Sequence, residues 1–222
     1  MDAELNIPKF SYDLPATIDP SSKYLFFLHG MFSEIYGLNN IHPFYGEYDH
    51  YGILKAFEDH GFTVVSEVRR RGINPYKYAG KVARQIRALL GNNISPEQIT
   101  VAGFSKGGFI TLYTAEKLKN PKINYVVLSG FRNKVDRFLG KYKKQINSSS
   151  PFMQGRFLYI YDRPNVKCMI CQRAFRLASD KITYSEIKID NGWGHGLFYQ
   201  PREAWIEPVV EWMNNTHYYY DK

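Results

Sequence analysis

Residues 100–109, Thr-Val-Ala-Gly-Phe-Ser-Lys-Gly-Gly-Phe, leave this chain few ways to fold. A β-branched, apolar run arrives at Gly103, and a helical period of apolar positions (Ile110, Leu112, Tyr113, Ala115, Leu118) departs from Lys106. A chain that changes from strand to helix this abruptly needs residues without a Cβ beside the bend, and Gly103 and Gly107 supply them. The pattern Gly103-x-Ser105-x-Gly107 therefore fits a nucleophile elbow, with Ser105 raised alone at the carboxyl edge of a sheet. The helix N-terminus beneath it would stabilise negative charge developing there. Three fixed positions recur by chance, so the weight rests on the strand before the serine and the helix after it.

The rest of the chain supplies matching parts. Residues 1–22 show no sustained period and read as an irregular lead-in with one short edge strand near 10–14. Apolar runs at 24–28, 62–68, 123–128, 157–161 and 183–189 join 99–103 as candidate strands. Helical periods lie between them: 51–60 ending at Gly61, a segment opened by Pro75 and stopped before Gly91, 168–178, and a closing helix at 203–213. Residues 29–50, rich in Gly, Asn, Pro and Tyr, read as a long loop. Strands that alternate with helices predict right-handed crossovers and a mostly parallel sheet of about six strands covered on both faces. The expected organisation is a single α/β domain over 23–222. It carries a short lid-like insertion at 131–156, where seven Lys/Arg face one acid, Asp136.

Composition narrows the function classes. At 44% apolar and 23% charged residues the chain has the balance of a water-exposed globular domain, and no run approaches a membrane span. The start, Met1-Asp2-Ala3-Glu4-Leu5, lacks a basic-then-apolar leader, which makes a cytoplasmic protein the default expectation; a leader removed before residue 1 would make it periplasmic or secreted. Cys168 and Cys171 form one isolated C-x-x-C without two further soft ligands in zinc spacing, so they read as two partly buried thiols one helical turn apart, with a redox disulfide at a helix start as the alternative. No His/Asp cluster has metal-ligand spacing, and neither metal nor cofactor is expected. The net charge is +8, and the run Arg69-Arg70-Arg71, directly after the strand ending at Val68, together with the basic insertion at 131–156 suggests a positive rim around the serine. That rim would favour a small anionic substrate; nucleic acid is not the expected partner.

In an open parallel sheet, ligands bind beyond the carboxyl ends of the strands. The residues found there are His29-Gly30-Met31-Phe32 after the first strand, Ser105 after the elbow strand, Asp162 after 157–161, and Gly192-Trp193-Gly194-His195-Gly196 after the last. Serine, acid and histidine thus follow one another in the order Ser…Asp…His.

With Leu28-His29-Gly30, Gly103-Phe104-Ser105-Lys106-Gly107-Gly108 and Gly194-His195-Gly196 in register, the chain resembles a small α/β-hydrolase over roughly 23–215. The motifs are similar to those of carboxylesterases, acyl-thioesterases and dienelactone hydrolases. The resemblance implies Ser105 as nucleophile and His195 as general base, with an oxyanion hole formed by the backbone N–H groups of Met31 and Lys106. Gly30 would let the loop bring the Met31 amide close, and His29 would order that loop rather than move protons. The remaining histidines, His42, His50, His60 and His217, read as structural or solvent-facing.

The acid departs from the family pattern, because Asn165 stands where a Gly-x-x-Asp turn would place it. Asp162, three positions earlier, is the expected acid; Asp190 and Asn165 are the alternatives. The implied activity is cleavage of a carboxylic ester or thioester through an acyl-enzyme. Two other readings stay open: acyl transfer at the same site, and a non-catalytic binding protein that keeps the fold with its acid position degraded.

Overall fold

The computed structural model describes residues 13–38, 40–129, 153–163 and 182–215. Its elements in chain order are β1 (Lys23–Leu28), α1 (Met31–Tyr36), β2 (Ile41–His42), β3 (Gly46–Glu47), α2 (His50–Asp59), β4 (Phe62–Val65), α3 (Pro75–Gly91), β5 (Ile99–Phe104), α4 (Lys106–Leu118), β6 (Asn124–Leu128), β7 (Gly155–Asp162), β8 (Ile182–Ile189) and α5 (Glu203–Asn214). Short 3-10 turns occupy Pro96–Gln98 and Gly194–Tyr199.

Six strands form one sheet in the order β4-β1-β5-β6-β7-β8, and every pairing in it is parallel. Alternate residues of each strand face opposite layers, as the period of two requires. Tyr24, Phe26, Val101, Tyr125, Val127, Phe157 and Tyr159 pack with α3 and α4. Leu25, Phe27, Ala102, Val126, Leu128, Leu158 and Ile160 pack with α2 and α5 on the other face. Burial on both faces is why these strands read in the sequence as continuous apolar runs. The α/β sandwich expected from the sequence is the one observed.

Helix ends follow local chemistry. Asn74 caps α3 by accepting from Lys77 N–H at 3.1 Å, with Pro75 in the first turn. Asp49 caps α2 by accepting from Gly52 N–H at 2.8 Å.

Two stretches differ from the sequence reading. Residues 29–50 contain α1 and the hairpin β2–β3 rather than an uninterrupted loop. The strand expected over 62–68 ends at Val65, because Ser66 turns its hydroxyl back to donate to the Phe27 carbonyl at 2.8 Å. The Cys168–Cys171 pair, the helix at 168–178, His217 and most of the 131–156 insertion lie outside the described residues, as does all but Asp13 and Leu14 of the edge strand expected near 10–14. Among the described residues, no helix is long and apolar enough to cross a membrane.

Candidate active site

Because the sheet is parallel, the carboxyl ends of β1, β5, β6, β7 and β8 lie along one edge, and the candidate residues gather there. Ser105 links β5 directly to α4 and holds φ 57, ψ −113, a conformation that L-residues rarely adopt. Its N–H donates to the Leu128 carbonyl at 2.9 Å, and its own carbonyl accepts from Gly108 N–H at 3.1 Å. The flanking glycines are steric necessities. A Cβ at Gly103 would lie 2.3 Å from the Gly107 backbone, and one at Gly107 would lie 1.8 Å from the Leu28 carbonyl oxygen.

The loop after β1 runs beside the elbow: a Cβ on Gly30 would sit 3.5 Å from the Ser105 Cβ and 3.1 Å from the Phe104 ring. His29 orders this loop. The Arg69 backbone N–H donates to its Nε2 at 2.9 Å, which leaves the ring proton on Nδ1, and Nδ1 donates to the Gly30 carbonyl at 2.8 Å. Burial and the neighbouring Arg69 guanidinium push the imidazole's proton affinity well below its ordinary value, so the ring is neutral. A trans peptide whose carbonyl is held by His29 presents its N–H on the opposite side, and that N–H belongs to Met31.

His195 lies in the Gly194–Tyr199 turn that follows β8. Its ring packs on Phe104, the residue before Ser105, with ring centroids 4.7 Å apart, and faces Tyr45 of the hairpin turn at 5.8 Å. Nδ1 lies 3.0 Å from the hydroxyl of Ser129. No hydrogen bond joins the Ser105 hydroxyl to His195 in this arrangement; Phe104 bridges them. Ser129 follows β6, is buried, and holds φ 48 with its N–H donating to the Ile160 carbonyl at 2.9 Å. Ser129 belongs to no motif in the sequence; its one signal there is its place directly after an internal strand, at the edge that carries Ser105.

Asp162, the last residue of β7, is fully buried. One carboxylate oxygen accepts from the N–H groups of Arg163 at 2.9 Å and Asn191 at 3.2 Å, and the other accepts from Gly194 N–H at 2.5 Å. The carboxylate therefore ties the sheet to the turn that delivers His195, and it does not bond the imidazole. Asp190 pairs with Arg163 at 2.8 Å in an exposed position and does not reach the imidazole either. Asn165 lies outside the described residues.

The positive rim needs correction. Arg70 and Arg71 are exposed, but the side chain of Arg69 is wholly buried, turned inward toward His29 and Glu34. Among the described residues, no group of three or more His, Cys, Asp or Glu side chains is arranged to hold a metal ion.

Comparison with known proteins gives the family and the fold. The family model for phospholipase/carboxylesterase matches residues 57–186, more than half of the chain. No curated protein sequence matches. Among solved structures, SOBER1 from Arabidopsis thaliana is similar, with TM-score 0.51 and 14% identity over 88% of this chain and 99% of that one. A putative alpha/beta hydrolase from Agrobacterium tumefaciens aligns with TM-score 0.54 and 14% identity over 88% and 86% of the two chains. A structure titled EstE5-PMSF aligns with TM-score 0.56 and 14% identity over 87% and 75%. At such identities these structures speak to the fold alone.

Proposed function

Since the chain belongs to the phospholipase/carboxylesterase family of α/β-hydrolases, we propose that it is a serine hydrolase that cleaves a carboxylic ester or thioester through an acyl-enzyme. The observation that carries this reading is Ser105 held at φ 57 between β5 and α4, a strained bend that sets one buried hydroxyl at a helix N-terminus on the carboxyl edge of the sheet.

In this mechanism His195 accepts the proton of the Ser105 hydroxyl as its oxygen attacks the acyl carbon. The carbonyl oxygen gains the negative charge and is met by the N–H groups of Met31 and Lys106. Each such donor is worth about 3 kcal/mol of transition-state stabilisation. Collapse breaks the acyl–oxygen or acyl–sulfur bond, and His195 returns its proton to the leaving alcohol or thiol. Water, deprotonated by the same imidazole, then attacks the Ser105 ester and releases the acid. Ser129 orients the imidazole through Nδ1, while Asp162 holds the Asn191–Gly194 backbone that sets its height above the elbow. In the resting geometry Ser105 and His195 are not yet bonded, as is common before substrate arrives.

A second reading, a binding protein that retains the fold, draws on one observation: neither Asp162 nor Asp190 bonds the His195 ring. The discriminating experiment is labelling with a fluorophosphonate probe alongside hydrolysis of p-nitrophenyl esters of graded chain length. The hydrolase reading expects stoichiometric labelling and turnover, both abolished in Ser105→Ala. A native chain that takes no label and cleaves no ester, oxygen or sulfur, would leave the binding reading in place.

A further inference from the structure

Resting on the oxyanion hole assigned above, a buried ionic network behind it acquires a role. Lys106 contributes its backbone N–H to the hole, but its side chain runs the other way. The ammonium donates to a carboxylate oxygen of Glu34 and to the Ile73 carbonyl at 3.0 Å. Glu34 belongs to α1, the helix that begins with Met31, the other donor. The second oxygen of Glu34 faces Arg69 Nε at 3.5 Å, and the Arg69 guanidinium in turn donates to the His29 carbonyl. The side chains of Glu34 and Arg69 are at most 1% exposed and that of Lys106 is 8% exposed.

Removing one carboxylate and two cations from water is costly, and apolar residues of the same volume would hold the fold at least as well. The network does what apolar residues could not: it joins in directed contacts two segments more than seventy positions apart in the sequence. We propose that Glu34 is a positioning residue which, by accepting from the Lys106 ammonium and pairing its charge with the Arg69 guanidinium without a hydrogen bond between them, locks the segment bearing the Met31 amide against the helix bearing the Lys106 amide. Both donors then stay aimed at one point before substrate binds, the condition under which such groups act most strongly. The two cations exceed the one carboxylate, so a net positive charge also lies behind the hole, where the reaction develops negative charge.

Lys106→Met tests this directly, because it removes the ammonium and keeps both the backbone donor and the bulk of the side chain. The measurements are kcat and KM on a p-nitrophenyl ester, the rate of fluorophosphonate labelling, inhibition by a trifluoromethyl ketone that forms an oxyanion on Ser105, and thermal melting. We expect kcat to fall about 100-fold, with labelling and inhibitor affinity falling in parallel and KM changing less than about threefold. Lys106→Arg, which restores the cation, should recover most of the loss. If Lys106→Met does not fold, Glu34→Gln, which keeps the shape but removes the charge and must turn an NH2 donor toward one of the two cations, is held to the same expectation. A lowered melting temperature with wild-type kcat and inhibitor affinity would make the network purely structural and overturn the inference alone. Wild-type protein that neither labels nor turns over would remove the hydrolase reading, and this inference with it.

Discussion

Asp162 shows how one residue can matter to an imidazole that it does not touch. Its two oxygens accept three backbone N–H groups, two of which lie in the turn leading to His195. Asparagine keeps the volume but offers one acceptor oxygen and an NH2 group, so at least one buried N–H must face another donor. An unmet donor of this kind costs about 1–3 kcal/mol. The more telling consequence is a displaced histidine, for which Asp162→Asn should lower kcat about 100-fold. A carboxylate bonded directly to the imidazole would instead be worth about 10⁴-fold, so steady-state kinetics distinguish the two roles. A loss of the larger size would mean that Asp162 reaches the ring in the working enzyme; an unchanged kcat would mean that the turn does not set the histidine at all.

At the scale of elements, the contact between α4 and β1 fixes the elbow, and it is closed by an absence of side chain. The Leu28 carbonyl oxygen would stand 1.8 Å from a Cβ on Gly107, and backbone on both sides leaves no flexible end to yield. Gly107→Ala should therefore destabilise the fold by about 3 kcal/mol or more in urea unfolding. Gly91→Ala, at the open end of α3 with no atom within 4 Å of the new Cβ, should be neutral or stabilising by about 0.5 kcal/mol. Equal effects at the two positions would refute the close approach.

Elements of this kind were legible in the sequence because each strand buried on both faces is a continuous apolar run, and each long helix carries its own period and cap. Residues 31–47 were not legible, since a six-residue helix and two-residue strands are too short to show a period. The site was legible only where a motif is local. Ser105 with its glycines could be read, whereas the Ser129–His195 contact joins residues 66 positions apart and leaves no local trace. The inward turn of Arg69 is hidden for a related reason: a run of three arginines does not say which of them the chain buries.

For the whole molecule, the two apolar layers leave little room for polar groups except along the carboxyl edge of the sheet, so the costs of function and of stability fall in the same place. His50 illustrates the coupling. It is buried beside Phe27, Tyr48 and His29, with its Nε2 3.5 Å from the Ser66 hydroxyl, and burial together with the Arg69 guanidinium lowers its pKa from 6.5 to about 4. His29, buried in the same cluster, is shifted in the same direction. A histidine depressed in the folded state gives its full stabilising contribution above the unfolded value near 6.5, and that contribution is lost as pH falls toward the folded value, because the unfolded chain binds the proton first. For His50 the difference between 6.5 and about 4 amounts to about 3 kcal/mol, with His29 adding in the same sense. Urea midpoints measured from pH 7.5 to 4.5 should hold nearly level down to about pH 6.5 and then decline steeply. In His50→Gln the decline should be shallower, because one of the histidines that drive it is gone, while His29 and His42, both lowered by burial, remain. A native chain whose midpoint stays flat down to pH 4.5 would mean that these imidazoles are protonated without cost, and that the edge of the sheet is far wetter than its packing implies.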